Sequence, residues 1–486
     1  MNNYPDKSAL HSAALSSALL AVVLTLTSSV QLRGQGKDPY PPDSTWTLAT
    51  AGDAIITQQL ECYENDPAFM ALAKPIRAAD AAALNLEINL FRLLDFKGYP
   101  QAENGGAYEI GPPESASSLK WMGFRLINMA NNHTTDWGIE AMLETTHLLD
   151  SLKMVHGGTG MSAGDAAMAR YLETAKGRFA LIGMATSFTP MSRASDPTPT
   201  VKGRPGLNAL RIDHVVQLAP EQMAELRKVT QALSAGAGAG EGRGGGAAGG
   251  ESRPIRFEGA TFVPGAENKV VYTVNAIDQD RILRSIASAA RQADHVILFS
   301  HSHDISGASE NSGAPAHLKE FFRKCIDAGA DTVVISGPHI LRGVEIYKDK
   351  PIFYSLGDFV MQNETIEPIP YDFLEPYGLG TNALANDLYN ARSKPDPVTG
   401  FPTAYHPSNP AVWESVVPVA TFKGHKVTEI KFYPVDMGFR VPRAHQGTPR
   451  LAEPELGKKI LDRLAKMSEV YGTKFVMKDG IALWTP

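Results

Sequence analysis

Apolar positions along the chain fall in short runs, each ending on a polar or glycine-bearing stretch and several followed by an amphipathic segment. TWTLATAGDAIIT (45–57) reads as a buried strand ending at Gly52-Asp53, and the Ala-rich stretch after it as helical, leading to a strand, AALNLEINL (82–90). A polar loop from Asp95 to Ser115 precedes a helix (Ala116 to Met122), a strand (Phe124 to Met129), the polar turn NNHTTDWG and a helix (Ile139 to Ser151). A glycine-rich turn, HGGTG, then a helix around Asp165 to Leu172 lead to the strand RFALIGMAT. Further on come a strand (Val270 to Ala276), a helix (Ile277 to Gln292), the strand HVILFSHSHD, a helix (Leu318 to Ala328) and the strand DTVVISGPHI. PIFYSLGDFV reads as one more strand, Val416 to Phe432 as a hairpin turning at Lys423-Gly424, and Glu453 to Tyr471 as a helix. Strands alternating with helices in this way predict an α/β layered domain, in which loops after the strand ends place functional groups.

Two segments break the pattern. Residues 13–30 are an uncharged run of Ala, Leu, Val, Ser and Thr behind a polar stretch that carries Lys7. It predicts a signal peptide or N-terminal anchor over 1–30, hence an exported protein that is periplasmic, extracellular or membrane-anchored. Residues 31–44 then form a polar tether, and the domain proper starts at 45. Residues 234–252 are almost wholly Gly and Ala; such a segment buries no core and is expected as a flexible insertion in a domain spanning 45–440. The remaining 441–486 are expected to complete that domain with a helix and a strand.

Bulk composition excludes several classes. The chain has 486 residues, 43% hydrophobic and 20% charged, and a formal net charge of -6. That balance leaves no electrostatic footprint for nucleic acid. Cys62 and Cys325, the two cysteines, are too few for a disulfide framework or a Cys-based metal site. No P-loop is present, FSHSH lacks the GxSxG spacing of a nucleophile elbow, and HGGTG lacks that of a dinucleotide fingerprint.

What remains is carboxylate, amide and imidazole at five strand ends: Asp53; Glu87; Asn131, Asn132 and His133; His301, His303 and Asp304; and His339. Hard or borderline divalent cations need this donor set, converging from separate strands. Each residue alone has a plainer reading, since an Asp after a strand is often a cap and a strand-end His a satisfied core residue. Glu87 is harder to read that way, because a carboxylate inside an apolar strand calls for a cation or an Arg.

These stretches resemble the bacterial capsule-synthesis CapA family, which includes the poly-γ-glutamate biosynthesis protein of that name and is related to calcineurin-like metallophosphoesterases. The matching segments run in order from about 46 to 476: AGDAII, LNLEINL, GFRLINMANNHTTDWGIEAMLETTHLLDSL, GGTG, LFSHSHD, DAGADTVVISGPHILRGVEIYKDKPIFYSLGDFV and ILDRLAKMSEVYGTKF. The resemblance implies an α/β fold, a four-layer α/β/β/α sandwich of the metallophosphoesterase type. It implies one or two divalent metal ions (Mn, Fe or Zn) held by Asp53, Glu87, Asn132, His301 and His339, with Glu87 in the bridging place. His133, with Asn132 beside it, would be catalytic as general acid. The implied substrate is a phosphoester or an anionic envelope polymer, and the implied partners are membrane-bound capsule synthase subunits. A non-catalytic polymer-binding or assembly role, and a purely structural sandwich, are the alternatives. The chain departs from its relatives at Ile335-Ser336-Gly337-Pro338-His339, where the family often has G-H-H-P-H. Gly337 thus stands where an additional imidazole is often found, and His303 or Asp304 is the candidate to replace it. Asp358 stands where the family commonly has Asn, and is expected to orient a ligand histidine.

Overall fold

The computed structural model describes residues 44–101, 107–236, 253–304, 313–393 and 409–486, together with 395, 398 and 400. The expected leader and tether (1–43), and all but the start of the expected Gly/Ala insertion, lie outside these residues. Two sheets stack face to face. The first runs in the order Val476–Lys478, Ile481–Trp484, Lys426–Asp436, Glu414–Lys423, Thr45–Ile55, Ala81–Leu86, Leu126–Asn128, Val155–Gly157. The last four of these strands are mutually parallel. The second runs Val344–Tyr347, Lys350–Phe353, Thr332–Ser336, His295–His301, Gly177–Ala185, Arg170–Thr174, with its four central strands parallel.

Alternation along each central strand explains the layering. In Thr45–Ile55, Trp46 and Leu48 face the second sheet, whereas Ala49 and Ala51 face outward onto helices Pro67–Ala78, Glu114–Met122 and Gly138–Ser151. In His295–His301, Ile297 and Phe299 face the first sheet, while Val296 and Leu298 pack under helices Ala276–Ala289 and Ala316–Ala328. Strands covered on both faces read as continuous apolar runs, and the result is the expected four-layer α/β/β/α sandwich. Helix Pro454–Ser468 adds Ile460, Leu461 and Leu464 to the core between the sheets, and Ile481–Trp484 pairs with Lys426–Asp436. Among the described residues no helix is long and apolar enough to cross a membrane.

The expected strand PIFYSLGDFV is two strands in different sheets. Lys350–Phe353 belongs to the second, and Asp358–Met361 pairs in parallel with the end of Thr45–Ile55 in the first. Gly357 adopts φ +68°, and a Cβ on Gly52 would lie 1.6 Å from the Gly357 carbonyl oxygen. Glycine at 52 is thus what lets the crossing chain touch the strand, and the crossing sets Asp53 beside Asp358. The helix expected around Asp165 to Leu172 stops early. Ala163–Ala166 is helical, but Arg170–Thr174 pairs antiparallel with Gly177–Ala185, so a tertiary ladder overrides the local pattern. A four-stranded sheet of Ile212–Leu218, Ile255–Phe257, Ala260–Pro264 and Lys269–Val274, with helix Pro220–Gly236, went largely unforeseen; only its last strand was expected.

At the end of the sandwich away from Asp53, Trp46 stacks on Phe422 of its own sheet (3.9 Å between ring centroids) and on His295 of the other (3.7 Å). Deleting so large a buried ring leaves a cavity between the sheets. Trp46→Ala is expected to lower the unfolding free energy by about 3–5 kcal/mol in urea denaturation; a change below 1 kcal/mol would show that the clamp is dispensable. Burial pushes the His295 imidazole below its ordinary value, against a smaller opposing pull from Asp331. The folded state therefore favours the neutral ring. Its contribution is complete above the unfolded pKa of about 6.5 and is lost as pH falls from there toward the depressed folded value. Between pH 7.5 and 5.5 the wild type should accordingly lose more stability than His295→Phe; parallel curves would contradict this assignment.

Candidate metal centre

The polar groups singled out in the sequence lie at or just beyond the carboxyl ends of parallel strands of the two sheets, except Asp358, which opens the strand Asp358–Met361. Asp53 is fully buried near the end of its strand and takes three donors or neighbours. Asn85 Nδ2 donates to its Oδ1 (2.7 Å), the Gly337 N–H donates to its Oδ2 (2.8 Å), and His301 Nδ1 lies 3.3 Å from Oδ1. Burial alone would raise the Asp53 carboxyl, but the charged His301 ring and its hydrogen bond reverse this and hold it below its ordinary value.

Glu87 directly follows Ala81–Leu86 and is fully buried, yet among the described residues neither carboxylate oxygen accepts a well-aligned hydrogen bond; the His301 ring meets it only as a close charged neighbour. Its Oε1 lies 3.2 Å from His301 Nε2 and 3.9 Å from His303 Nε2. An ionised carboxylate taken out of water without donors is costly, so this residue decides how the site is read.

The turn NNHTTD divides its work residue by residue. Asn131 anchors it: Nδ2 donates to the Leu86 carbonyl (2.7 Å), and Oδ1 accepts from the His133 N–H (3.0 Å). Thr134 closes the turn through the Met129 carbonyl (2.8 Å). Asn132 is left to face the site, its Oδ1 2.7 Å from His301 Nε2 and 3.3 Å from His303 Nε2. His133 Nδ1 meets Asp136 Oδ2 at 2.7 Å, an oxygen that also accepts the Glu109 N–H (2.8 Å). Burial would drive His133 neutral; the Asp136 carboxylate outweighs it and, with Glu109 and Glu87, holds the ring at about 9. Glu109, itself buried, is pushed up to about 8.

Two groups of ligand-competent atoms result, each converging within 4.8 Å: Glu87, His301 and His303; and Asp53, Glu87, His339 and Asp358. Glu87 belongs to both, the place the resemblance gave a bridging carboxylate. With Asn132 added, the separations given above for the first group, and the 3.0 Å between the two imidazole Nε2 atoms, run from 2.7 to 3.9 Å. Tetrahedral ligands at zinc-like bond lengths stand about 3.3 Å apart, so the arrangement fits a cation of that kind. Without one, the proton on His301 carries the compensating charge. Burial lowers this ring's pKa, but Glu87 and Asp53 raise it to about 9 overall.

His339, at φ +56°, places Nδ1 2.8 Å from Oδ1 of Asp358, the residue named above as its candidate orienting acid; among the described residues Asp358 Oδ2 is buried without a hydrogen-bond partner, and Asp358 joins the second group. Asp304 is not brought in. Its Oδ2 accepts from the hydroxyls of Thr186 and Ser302, and the Arg342 guanidinium holds its carbonyl (2.9 Å). Of the two candidate replacements for the missing imidazole, the structure thus brings in His303. Sequence reasoning missed Asn85 and Asn128, whose amides link Asp53 to the NNH turn (Asn128 Nδ2 to Asn85 Oδ1, 2.7 Å), and it missed Asp136 as the partner of His133. An Asn inside the apolar run AALNL was the available signal, of the same kind as Glu87.

Gly337 cannot carry the imidazole that the resemblance leads one to expect there. Its φ is +118°, and a Cβ there would lie 2.8 Å from the Ser302 backbone, while its N–H holds Asp53. Gly337→Ala is expected to cost roughly 1–3 kcal/mol in thermal unfolding; a variant as stable as the wild type would refute this reading of the loop.

The family described as bacterial capsule synthesis protein PGA_cap matches residues 47–363. The chain is 37% identical over 443 residues to the uncharacterized protein y4sH of Sinorhizobium fredii, covering 90% of this chain and 92% of that one. It is 23% identical over 349 residues to the capsule biosynthesis protein CapA of Bacillus anthracis, covering 70% and 66%, and 24% identical over 349 residues to the PGA biosynthesis protein CapA of Bacillus subtilis, covering 70% of each. The chain therefore belongs to the bacterial capsule synthesis protein PGA_cap family.

Proposed function

We propose that the protein is an exported metal-dependent phosphoesterase that acts on a phosphoester or a related bond in an anionic polymer of the cell envelope. The observation that carries this reading is the buried Glu87 carboxylate, which accepts no well-aligned hydrogen bond among the described residues and is shared by two converging ligand groups. Asp53, Glu87, Asn132, His301, His303, His339 and Asp358 would hold one or two divalent ions; carboxylate, amide and imidazole together suit Mn, Fe or Zn. Bound there, such ions would supply Lewis acidity toward a phosphoryl oxygen and a water acidified to near neutrality.

The remaining work falls to the chain. Asn85 and the Gly337 N–H fix both Asp53 oxygens, so this carboxylate presents one orientation. Asp358 fixes the His339 ring by accepting a hydrogen bond from its Nδ1–H, an arrangement that sets tautomer and aim. His133 stays protonated at neutral pH through Asp136 and stands next to Asn132, where its proton can pass to the leaving-group oxygen as the ester bond breaks.

The test is turnover of bis(p-nitrophenyl) phosphate by the full-length protein with Mn, Fe or Zn added. Metal-dependent hydrolysis is expected, with Asp53→Ala and Asn132→Ala reducing it to background. His133→Gln should retain the bound metal and lose about 10²–10⁴-fold in kcat on a phosphodiester with an alkoxide leaving group, and much less on the nitrophenyl ester, whose leaving group needs no proton. Absence of turnover with every metal, or full activity in Asp53→Ala, would overturn the proposal.

The names of the Bacillus relatives, capsule and PGA biosynthesis proteins, favour a second reading, a non-catalytic component that binds or guides polymer beside synthase subunits. It predicts that a chromosomal Asn132→Ala allele leaves extracellular polymer intact while deletion abolishes it. Under the enzymatic reading the two strains share one phenotype.

A further inference from the structure

The loop after Gly177–Ala185 touches the site on two sides. Thr186 and Ser187 hold the His303 segment, the Ser187 hydroxyl accepting the His303 N–H (2.8 Å). Ser192 Oγ lies 2.7 Å from Thr135 Oγ1, two residues from His133. The next residue in the chain is Arg193. Its guanidinium makes no hydrogen bond or ion pair among the described residues, although its backbone is tied down: it bridges to Leu207, and its carbonyl accepts from Arg204 Nε (2.9 Å).

Three further guanidinium groups, of Arg204, Arg211 and Arg281, surround it electrostatically. The acid they share, Asp278, is 1% exposed and already spent: Arg211 binds both its oxygens (2.7 and 3.0 Å), and Arg281 reaches Oδ1 (3.1 Å). Asp213 adds one more negative charge near Arg211. Asp278 thus serves Arg211 and Arg281, while among the described residues no carboxylate pairs with Arg193 or Arg204, in a chain whose net charge is -6. Like charges held together without a counter-charge are unfavourable unless something anionic relieves them, and a planar guanidinium fork is the group that pairs two-pronged with phosphate or carboxylate.

We infer that Arg193, backed by Arg204, forms an anion subsite that grips a second oxyanion group of the substrate, a phosphate or carboxylate beyond the bond handled at the Glu87 centre. The identity of that substrate rests on the proposed phosphoesterase reading; the anion binding itself does not. The subsite selects extended polyanionic substrates over those whose only charge is the scissile phosphate.

The test has two arms. Inorganic tripolyphosphate is titrated calorimetrically into the full-length wild type, Arg193→Gln, Arg204→Gln and Asp53→Ala. The first two variants should weaken binding about tenfold each, and Asp53→Ala should leave most of it. Orthophosphate, which offers one group instead of a chain, should bind the wild type at least tenfold more weakly. The Arg193 side chain bonds to nothing described, so its removal is expected to leave the fold intact, which circular dichroism checks; Arg204→Gln keeps the test open if it does not. Equal affinity in wild type and both arginine variants, or orthophosphate binding as tightly as tripolyphosphate, would overturn the inference. In the second arm, Arg193→Gln should raise KM about tenfold for a p-nitrophenyl phosphodiester that bears a carboxylate, with kcat and the KM for bis(p-nitrophenyl) phosphate unchanged; an equal change for both esters would overturn it. A wild type without turnover defeats the proposed function and leaves the calorimetric arm to decide the subsite.

Discussion

The arrangement hangs on one buried carboxylate. Glu87 has two oxygens out of water and, among the described residues, no well-aligned hydrogen bond on either, and around it stand the imidazoles of His301 and His303 and the carboxylates of Asp53 and Asp358. Three acids in so small a volume repel one another. A protonated His301 offsets part of that repulsion, and a divalent cation offsets more while satisfying the oxygens that no well-aligned donor reaches. The surrounding structure reads as support for this arrangement. Asn85 spans Asp53 and Asn128, Asn131 pins the turn that aims Asn132, and Gly337 brings its N–H within reach of Asp53.

Convergence depends on backbone that few residues permit. Asp53 meets Asp358 because Gly52 lets the crossing chain press against its strand at Gly357. His301 arrives from the second sheet at a height set by the packing of the two inner faces, clamped at the far end by Trp46 against His295 and Phe422. A site assembled from two sheets inherits its precision from that packing, and small shifts between the layers would move ligands by a large fraction of a bond length.

The layers were legible in the sequence because strands covered on both faces must be apolar throughout, which makes a charged or amide group at a strand end conspicuous. Asp53, Glu87, Asn132, His301 and His339 were visible for that reason, and the structure brings them together. Three features were hidden. Pairing partners are non-local, so Arg170–Thr174 looked helical until its ladder with Gly177–Ala185 was seen. The turn inside PIFYSLGDFV depends on a contact with Gly52, some 300 residues earlier, that no window of sequence contains. Asp304 and His303, adjacent in one polar motif, were indistinguishable by type; hydroxyls of Thr186 and Ser302 capture the first and leave the second free to join the site.

Metal analysis of the purified, folded chain bears on this account most directly. Elemental analysis by mass spectrometry of protein prepared without chelator should find one to two equivalents of a transition metal per chain. Glu87→Gln should lose most of it while remaining folded, and chelation should lower the melting temperature of the wild type but not of the variant. A wild-type protein that is metal-free, refuses added Mn, Fe and Zn, and melts at the same temperature with and without chelator would contradict the account.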